Sequence, residues 1–138
     1  MHVCRGNWTT DESVLLQGAY DKLGKFFDAL DLDMLALEFS TPRAGEVEKL
    51  FSNNFLDTRV MLGFGCVNPR SEVIETPEEI VSRVEELLQF LPPERIWLNP
   101  DCGFATFAKR PLNPYPIIQK KLENMVAASK ILREKYCK

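Results

Sequence analysis

Arg59-Val-Met-Leu-Gly-Phe-Gly65 is the stretch on which the fold turns. Its apolar run does not alternate with polar residues and is too short for a helix, so it reads as a strand covered on both faces, the kind that parallel sheets contain. Gly63 and Gly65 mark close approach of neighbouring backbone. Asp33-Met-Leu-Ala-Leu-Glu-Phe39 before it and Arg95-Ile-Trp-Leu-Asn99 after it have the same character. Thr41-Pro42-Arg43 breaks the first of these, and Pro92-Pro93 stops the helix that leads into the last. Around the strands the periodicity changes to that of helices. From Asp11 to Leu30 a stripe of Val14, Leu15, Ala19, Leu23, Phe26, Phe27 and Leu30 follows the capping residues Thr9, Thr10 and Asp11. A short helix is predicted over 46–55. Thr76-Pro77-Glu78-Glu79 places a cap, a first-turn proline and two acids ahead of a helix running to about Leu91. A long amphipathic helix is predicted from Ile117 to Tyr136. Strands alternating with helices of this length make an α/β protein of βαβ units around a parallel sheet, with right-handed crossovers.

The strand count sharpens this. Three parallel strands cannot close a barrel, which takes eight. The chain opens at Met1 on a loop leading to a helix, with no strand predicted before it. It therefore reads as one domain over residues 1–138, the last part of a TIM-like (β/α)8 barrel that is incomplete within this sequence. An open sheet edge invites pairing, so a homo-oligomer or a chain carrying the missing strands is the expected partner.

Composition excludes several classes. The 138 residues suffice for a hydrophobic core, and an apolar fraction of 45% argues against disorder. A net charge of −3 and a pI near 5.3 leave no electrostatic footprint for nucleic acid. No run approaches the ~20 apolar residues of a membrane span, and the N-terminus has no signal-like apolar region. A cytoplasmic location is the expectation. Four cysteines, Cys4, Cys66, Cys102 and Cys137, fit metal binding or burial better than disulfides in a chain with an ample core.

His2, Cys4, Glu38 and Cys102 together offer one imidazole, one carboxylate and two thiolates, a set that suits tetrahedral zinc. They fall where parallel-strand folds place their chemistry, just past the strands. Each also has a plainer reading: His2 as a frayed terminal residue, the cysteines as buried thiols, and Glu38 as a buried carboxylate paired with Arg43 or Arg5. Glu38, Cys66 and Cys102 are expected on one side of the sheet, with Cys66 lining the barrel mouth without binding metal. Asp101 reads as a loop hydrogen-bond acceptor, Asn68 and Asn99 as turn residues, and Phe104 and Phe107 as an apolar wall or core.

His2-Val-Cys4-Arg-Gly-Asn7, Leu35-Ala-Leu-Glu38 and Trp97-Leu-Asn-Pro-Asp-Cys-Gly103 resemble the catalytic barrel of the cobalamin-independent methionine synthase family. Asn124-Met-Val-Ala-Ala128 and Leu132-Arg133 are similar to its final helix. The resemblance spans the chain but only the C-terminal part of the family's barrel. It implies a zinc ion held by His2, Cys4, Glu38 and Cys102, and alkyl transfer to a thiol. The substrate implied is a small thiol such as homocysteine, and the methyl donor a methyltetrahydrofolate polyglutamate. The sequence departs from the family in two places. Cys66 and Asn68 stand where methionine synthases carry an aspartate and a histidine, and neither is a good general acid near neutral pH. Phe104-Ala-Thr-Phe107 stands where they carry Leu-Lys-Thr-Arg. Both changes resemble the shorter relatives, including the epoxyalkane:coenzyme M transferases. The other reading is a non-catalytic remnant or subunit lacking the rest of the site.

Overall fold

A computed structural model describes residues 1–137. Four parallel strands form one sheet in sequential order: β1 (His2–Val3), β2 (Met34–Glu38), β3 (Met61–Val67) and β4 (Ile96–Pro100). The three predicted strands are present within two residues of their expected ends. The expectation that no strand precedes the first helix is corrected. His2 and Val3 pair with Ala36 and Leu37, and the Ala36 N–H donates to Met1 O at 2.8 Å. Two residues carry no periodicity, so this strand is visible only through its partner.

The register puts equivalent residues in rows across the sheet. Leu35 lies beside Leu62 and Leu37 beside Phe64, and all four are buried in the core under the helices. The opposite face carries a row of His2, Ala36, Gly63 and Trp97, then a row of Glu38, Gly65 and Asn99. Trp97 is 57% exposed on that face. The two glycines make room on it. A Cβ at Gly63 would lie 2.7 Å from Asn99 Oδ1, and one at Gly65 would lie 2.6 Å from Leu37 O and meet the Asp101 carboxylate.

The helical layer consists of α1 (Gly24–Ala29), α2 (Leu56–Arg59), α3 (Pro77–Leu87) and α4 (Tyr115–Tyr136), with short 3₁₀ turns between. The capping box at the start of α3 forms as the sequence requires: Thr76 Oγ1 accepts from Glu79 N, and Glu79 accepts from Thr76 N. Ile80, Val84 and Leu87 are its buried stripe. The single helix expected over 11–30 is corrected to 3₁₀ turns at Glu12–Val14 and Tyr20–Leu23 followed by α1. Gly18, at φ 120°, breaks the run, and Val14 and Phe26 of the supposed stripe face solvent. The helix expected over 46–55 is a 3₁₀ turn at Val47–Phe51, with α2 following it.

Candidate metal centre

Parallel strands send their C-terminal ends to one edge of the sheet, and three of those ends meet here. The chain leaves β1 through Cys4, β2 ends on Glu38, and the loop after β4 carries Asp101 and Cys102. Ligand atoms of His2, Cys4, Glu38 and Cys102 all lie within 4.8 Å of one another. His2 Nε2 is 3.2 Å from Cys102 Sγ, the Cys4 and Cys102 sulfurs are 3.4 Å apart, and Cys102 Sγ is 3.8 Å from Glu38 Oε1. The structure thus brings together the four residues that the sequence singled out, and all four cysteines are free thiols.

The surroundings suit each donor to a cation. His2 Nδ1 lies 3.0 Å from Ala36 O, a group that only accepts, so Nδ1 carries the proton and Nε2 turns its lone pair toward the sulfurs. Gly6 N–H lies 3.5 Å from Cys4 Sγ, a donor suited to a thiolate. Burial, and then the Cys4 thiol beside it, push the Cys102 thiol up to about 12. A divalent metal among these donors would offset the negative charge that two thiolates and a carboxylate bring together. The donor set therefore fits zinc.

Glu38 is buried and fully engaged. Its Oε1 accepts from Arg5 N at 2.8 Å and Asn7 Nδ2 at 2.7 Å, and its Oε2 accepts from Arg43 Nη2 at 2.9 Å. Of the two arginines considered as its partner, Arg43 makes the ion pair. Arg5 contributes only its main-chain N–H, while its guanidinium donates to Gly18 O and Arg43 O and lies over the Tyr20 ring. The Tyr20 hydroxyl donates to Glu38 O and accepts from Glu38 N. Burial pushes that phenol up to about 12.

Asp101 is the loop acceptor expected of it. Its Oδ1 accepts from Phe39 N and Ser40 N, each at 3.0 Å, and the Ser40 hydroxyl donates to Oδ2. It thereby ties the exit of β4 to the exit of β2, over Gly65. Asn68 is a turn residue, its Oδ1 accepting from Arg70 N at 2.9 Å, and the Asn99 side chain donates to Pro100 O. Phe104 packs against the core, whereas Phe107 is exposed. The expectation that Cys66 joins Glu38 and Cys102 at the barrel mouth is corrected. It is fully buried in the hydrophobic cluster, its thiol donating to Asn99 O at 3.6 Å, and it is not among the converging donors. Sequence reasoning gave no role to Asn7, Tyr20, Ser40 or Arg70. Apart from Cys4 Sγ, 3.9 Å from Asn7 Nδ2, their side-chain partners lie 18 to 63 positions away, and only the Asn68-Pro69-Arg70 turn carried a local signal.

Burial pushes the Cys66 thiol up to about 12, so it stays protonated and unreactive well above neutral pH. Iodoacetamide at pH 7 to 9, followed by peptide mass spectrometry, is expected to label exposed Cys137 and leave Cys66 unlabelled until the chain is denatured. Native labelling of Cys66 would contradict its placement.

Residues 6–131 match the model of the cobalamin-independent synthase catalytic domain. Methionine synthase of Sulfurisphaera tokodaii is 35% identical over 134 residues, 97% of this chain and 33% of that protein. The 5-methyltetrahydropteroyltriglutamate–homocysteine methyltransferase of Candida albicans is 34% identical over 108 residues, 78% of this chain and 13% of that protein. The uncharacterised YxjG of Bacillus subtilis is 34% identical over 107 residues, 77% and 27% of the respective chains. A B12-independent methionine synthase from Shewanella sp. W3-18-1, solved with selenomethionine, superposes with a TM-score of 0.75 at 18% identity, over 97% of this chain and 38% of that one. The fold is thus part of a TIM-like barrel, and the chain spans about a third of the length of these methionine synthases.

Proposed function

The chain belongs to the cobalamin-independent synthase family through its catalytic domain, and from that membership we propose that it carries the zinc half of a thiol-alkylating site, with homocysteine as thiol and a methyltetrahydrofolate as methyl donor. The observation that carries this reading is the convergence of His2, Cys4, Glu38 and Cys102 within 4.8 Å at the C-terminal edge of the sheet. These four would hold the metal. Zinc bound there would lower the pKa of a substrate thiol and present it as a thiolate at neutral pH. Two cysteine sulfurs keep such a centre electron-rich, which favours a nucleophilic thiolate over the activation of water.

The chain's own residues set the geometry. His2 offers Nε2 because Ala36 O holds Nδ1–H. Arg43 pairs with Glu38 and holds it in place, so Glu38 could yield its position to an incoming thiol while keeping its ion-pair partner. The remaining barrel strands, from a companion chain or a longer polypeptide, would grip the rest of the substrate, and a cytoplasmic setting suits free thiols. No helix among the described residues is long and apolar enough to cross a membrane. A second reading, alkyl transfer from a donor other than a folate in the manner of coenzyme M transferases, is favoured by one observation. Asn68, which the family resemblance matches to a histidine, closes a turn and offers no titrating acid.

The test combines this chain, zinc-loaded, with the N-terminal barrel portion of a methionine synthase relative. Methionine formed from homocysteine and methyltetrahydrofolate supports the first reading. Alkylation only by an epoxide donor supports the second, and no alkylation of any thiol refutes both.

A further inference from the structure

One buried cation near the centre, Arg70, lies outside the His2–Asn7, Leu35–Glu38 and Trp97–Gly103 stretches that carry the family resemblance. Arg70 follows β3 in a turn that is pinned from several sides. Asn68 N donates to Glu75 Oε1 at 2.8 Å, and Asn113 Nδ2 donates to Pro69 O and Ser71 O at 2.7 and 3.1 Å. The Arg70 side chain is 2% exposed and reaches across 63 positions of sequence to Asn7. Its Nε donates to Asn7 Oδ1 at 3.0 Å, and its Nη2 pairs with Glu12 Oε1 at 2.5 Å. On its other side Asn7 Nδ2 donates to Glu38 Oε1 at 2.7 Å.

A guanidinium has only donors and a carboxylate only acceptors, so the Asn7 amide between them has one permitted orientation. We propose that Arg70 is a positioning residue for the metal centre: by fixing the Asn7 amide it keeps an N–H aimed at Glu38, which holds that carboxylate in a state an incoming thiol can displace. This rests on the thiol-activating reading given above. A charge-assisted hydrogen bond stabilises the carboxylate away from a metal and weakens its oxygen as a ligand. Without Arg70, Asn7 Oδ1 loses its donor, so the amide N–H is held less firmly on Glu38 and would oppose coordination by that carboxylate less. The four residues would still hold the metal, and a thiol would then compete against a stronger carboxylate.

The test uses the full chain loaded with cobalt(II) in place of zinc and titrated with homocysteine, the change in the visible d–d absorption reporting thiol binding. Arg70→Met is expected to raise the homocysteine concentration at half-saturation roughly tenfold, the effect of losing one hydrogen bond to a charged group. Asn7→Leu, which removes the donor directly, is expected to give a similar shift. Arg70→Gln is the rescue: its Nε2 stands as many bonds from Cα as the arginine Nε, so it keeps the donor to Asn7 while losing the Glu12 pair. It is expected to titrate like the wild type. Wild-type titration by Asn7→Leu, or equal shifts in Arg70→Met and Arg70→Gln, would overturn the proposal while leaving the metal centre standing. Failure of the wild-type chain to bind cobalt at all would overturn the thiol-activating reading itself, and this proposal with it.

Discussion

Alanine at Cys4 or Cys102 is expected to lower zinc affinity by about two to three orders of magnitude, while Cys137→Ala leaves it unchanged. A four-ligand zinc site is worth ~10–16 kcal/mol in total, so one ligand accounts for roughly 2–4 kcal/mol, and about 1.4 kcal/mol is a factor of ten. Cys102 is central to the geometry, lying 3.2 Å from His2 Nε2, 3.4 Å from the Cys4 sulfur and 3.8 Å from Glu38 Oε1. Its loss removes the one donor that touches the other three. Cys137 lies beyond the end of α4 and outside the cluster. Competition with a chromophoric chelator measures the affinities. Equal zinc stoichiometry in the wild type and the Cys4/Cys102 double variant would eliminate the site.

The second large effect concerns Arg43. Replacing it with methionine is expected to destabilise the metal-free chain by about 3–5 kcal/mol, the usual cost of leaving one member of a buried ion pair alone. Both side chains are almost wholly enclosed, at 4% and 2% exposure. The guanidinium also donates to Arg5 O, Gly6 O and Leu16 O, which ties the loop after β1 to the turn after β2. Two outcomes distinguish the charge from the loop ties. Adding Glu38→Gln to Arg43→Met should recover part of the loss, since the stranded carboxylate is gone. Zinc should also recover part of it, since a cation returns beside Glu38. Urea midpoints with and without zinc measure both. A loss below about 1 kcal/mol would mean that the pair contributes little.

Much of this architecture was legible because β2, β3 and β4 are unbroken apolar runs bounded by prolines, glycines and charges. Burial on both faces produces that signature in β3, whereas β4 shows it despite leaving Trp97 57% exposed. The same burial hid which way each residue points. Cys66 reads like its neighbours in sequence, and only the structure assigns it to the apolar cluster. β1 escaped notice because its two residues have no pattern of their own. The stretch from Asp11 to Leu30 misled in the opposite sense, with apolar residues at helical spacing that an exposed Val14 and the left-handed Gly18 show to be coincidental. At the centre, donors could be picked out by residue type and by the family resemblance. Of the groups that orient them, Arg43 was one of the two partners considered for Glu38, but Tyr20 and Arg70 were not legible, because they reach their partners through tertiary contacts that no spacing encodes.

The tie made by Asp101 bears on which ions the centre would accept. Its carboxylate fixes the main chain at Phe39 and Ser40 beside the loop that carries Cys102, so Glu38 and Cys102 present a bite of nearly constant width. His2 rides on a two-residue edge strand that pairs with β2 alone, and Cys4 leaves directly from its end. Coordination would therefore be stiff on one side and compliant on the other. A larger thiophilic ion such as cadmium would be accommodated by a shift of the N-terminal strand, with the loops after β2 and β4 staying where they are.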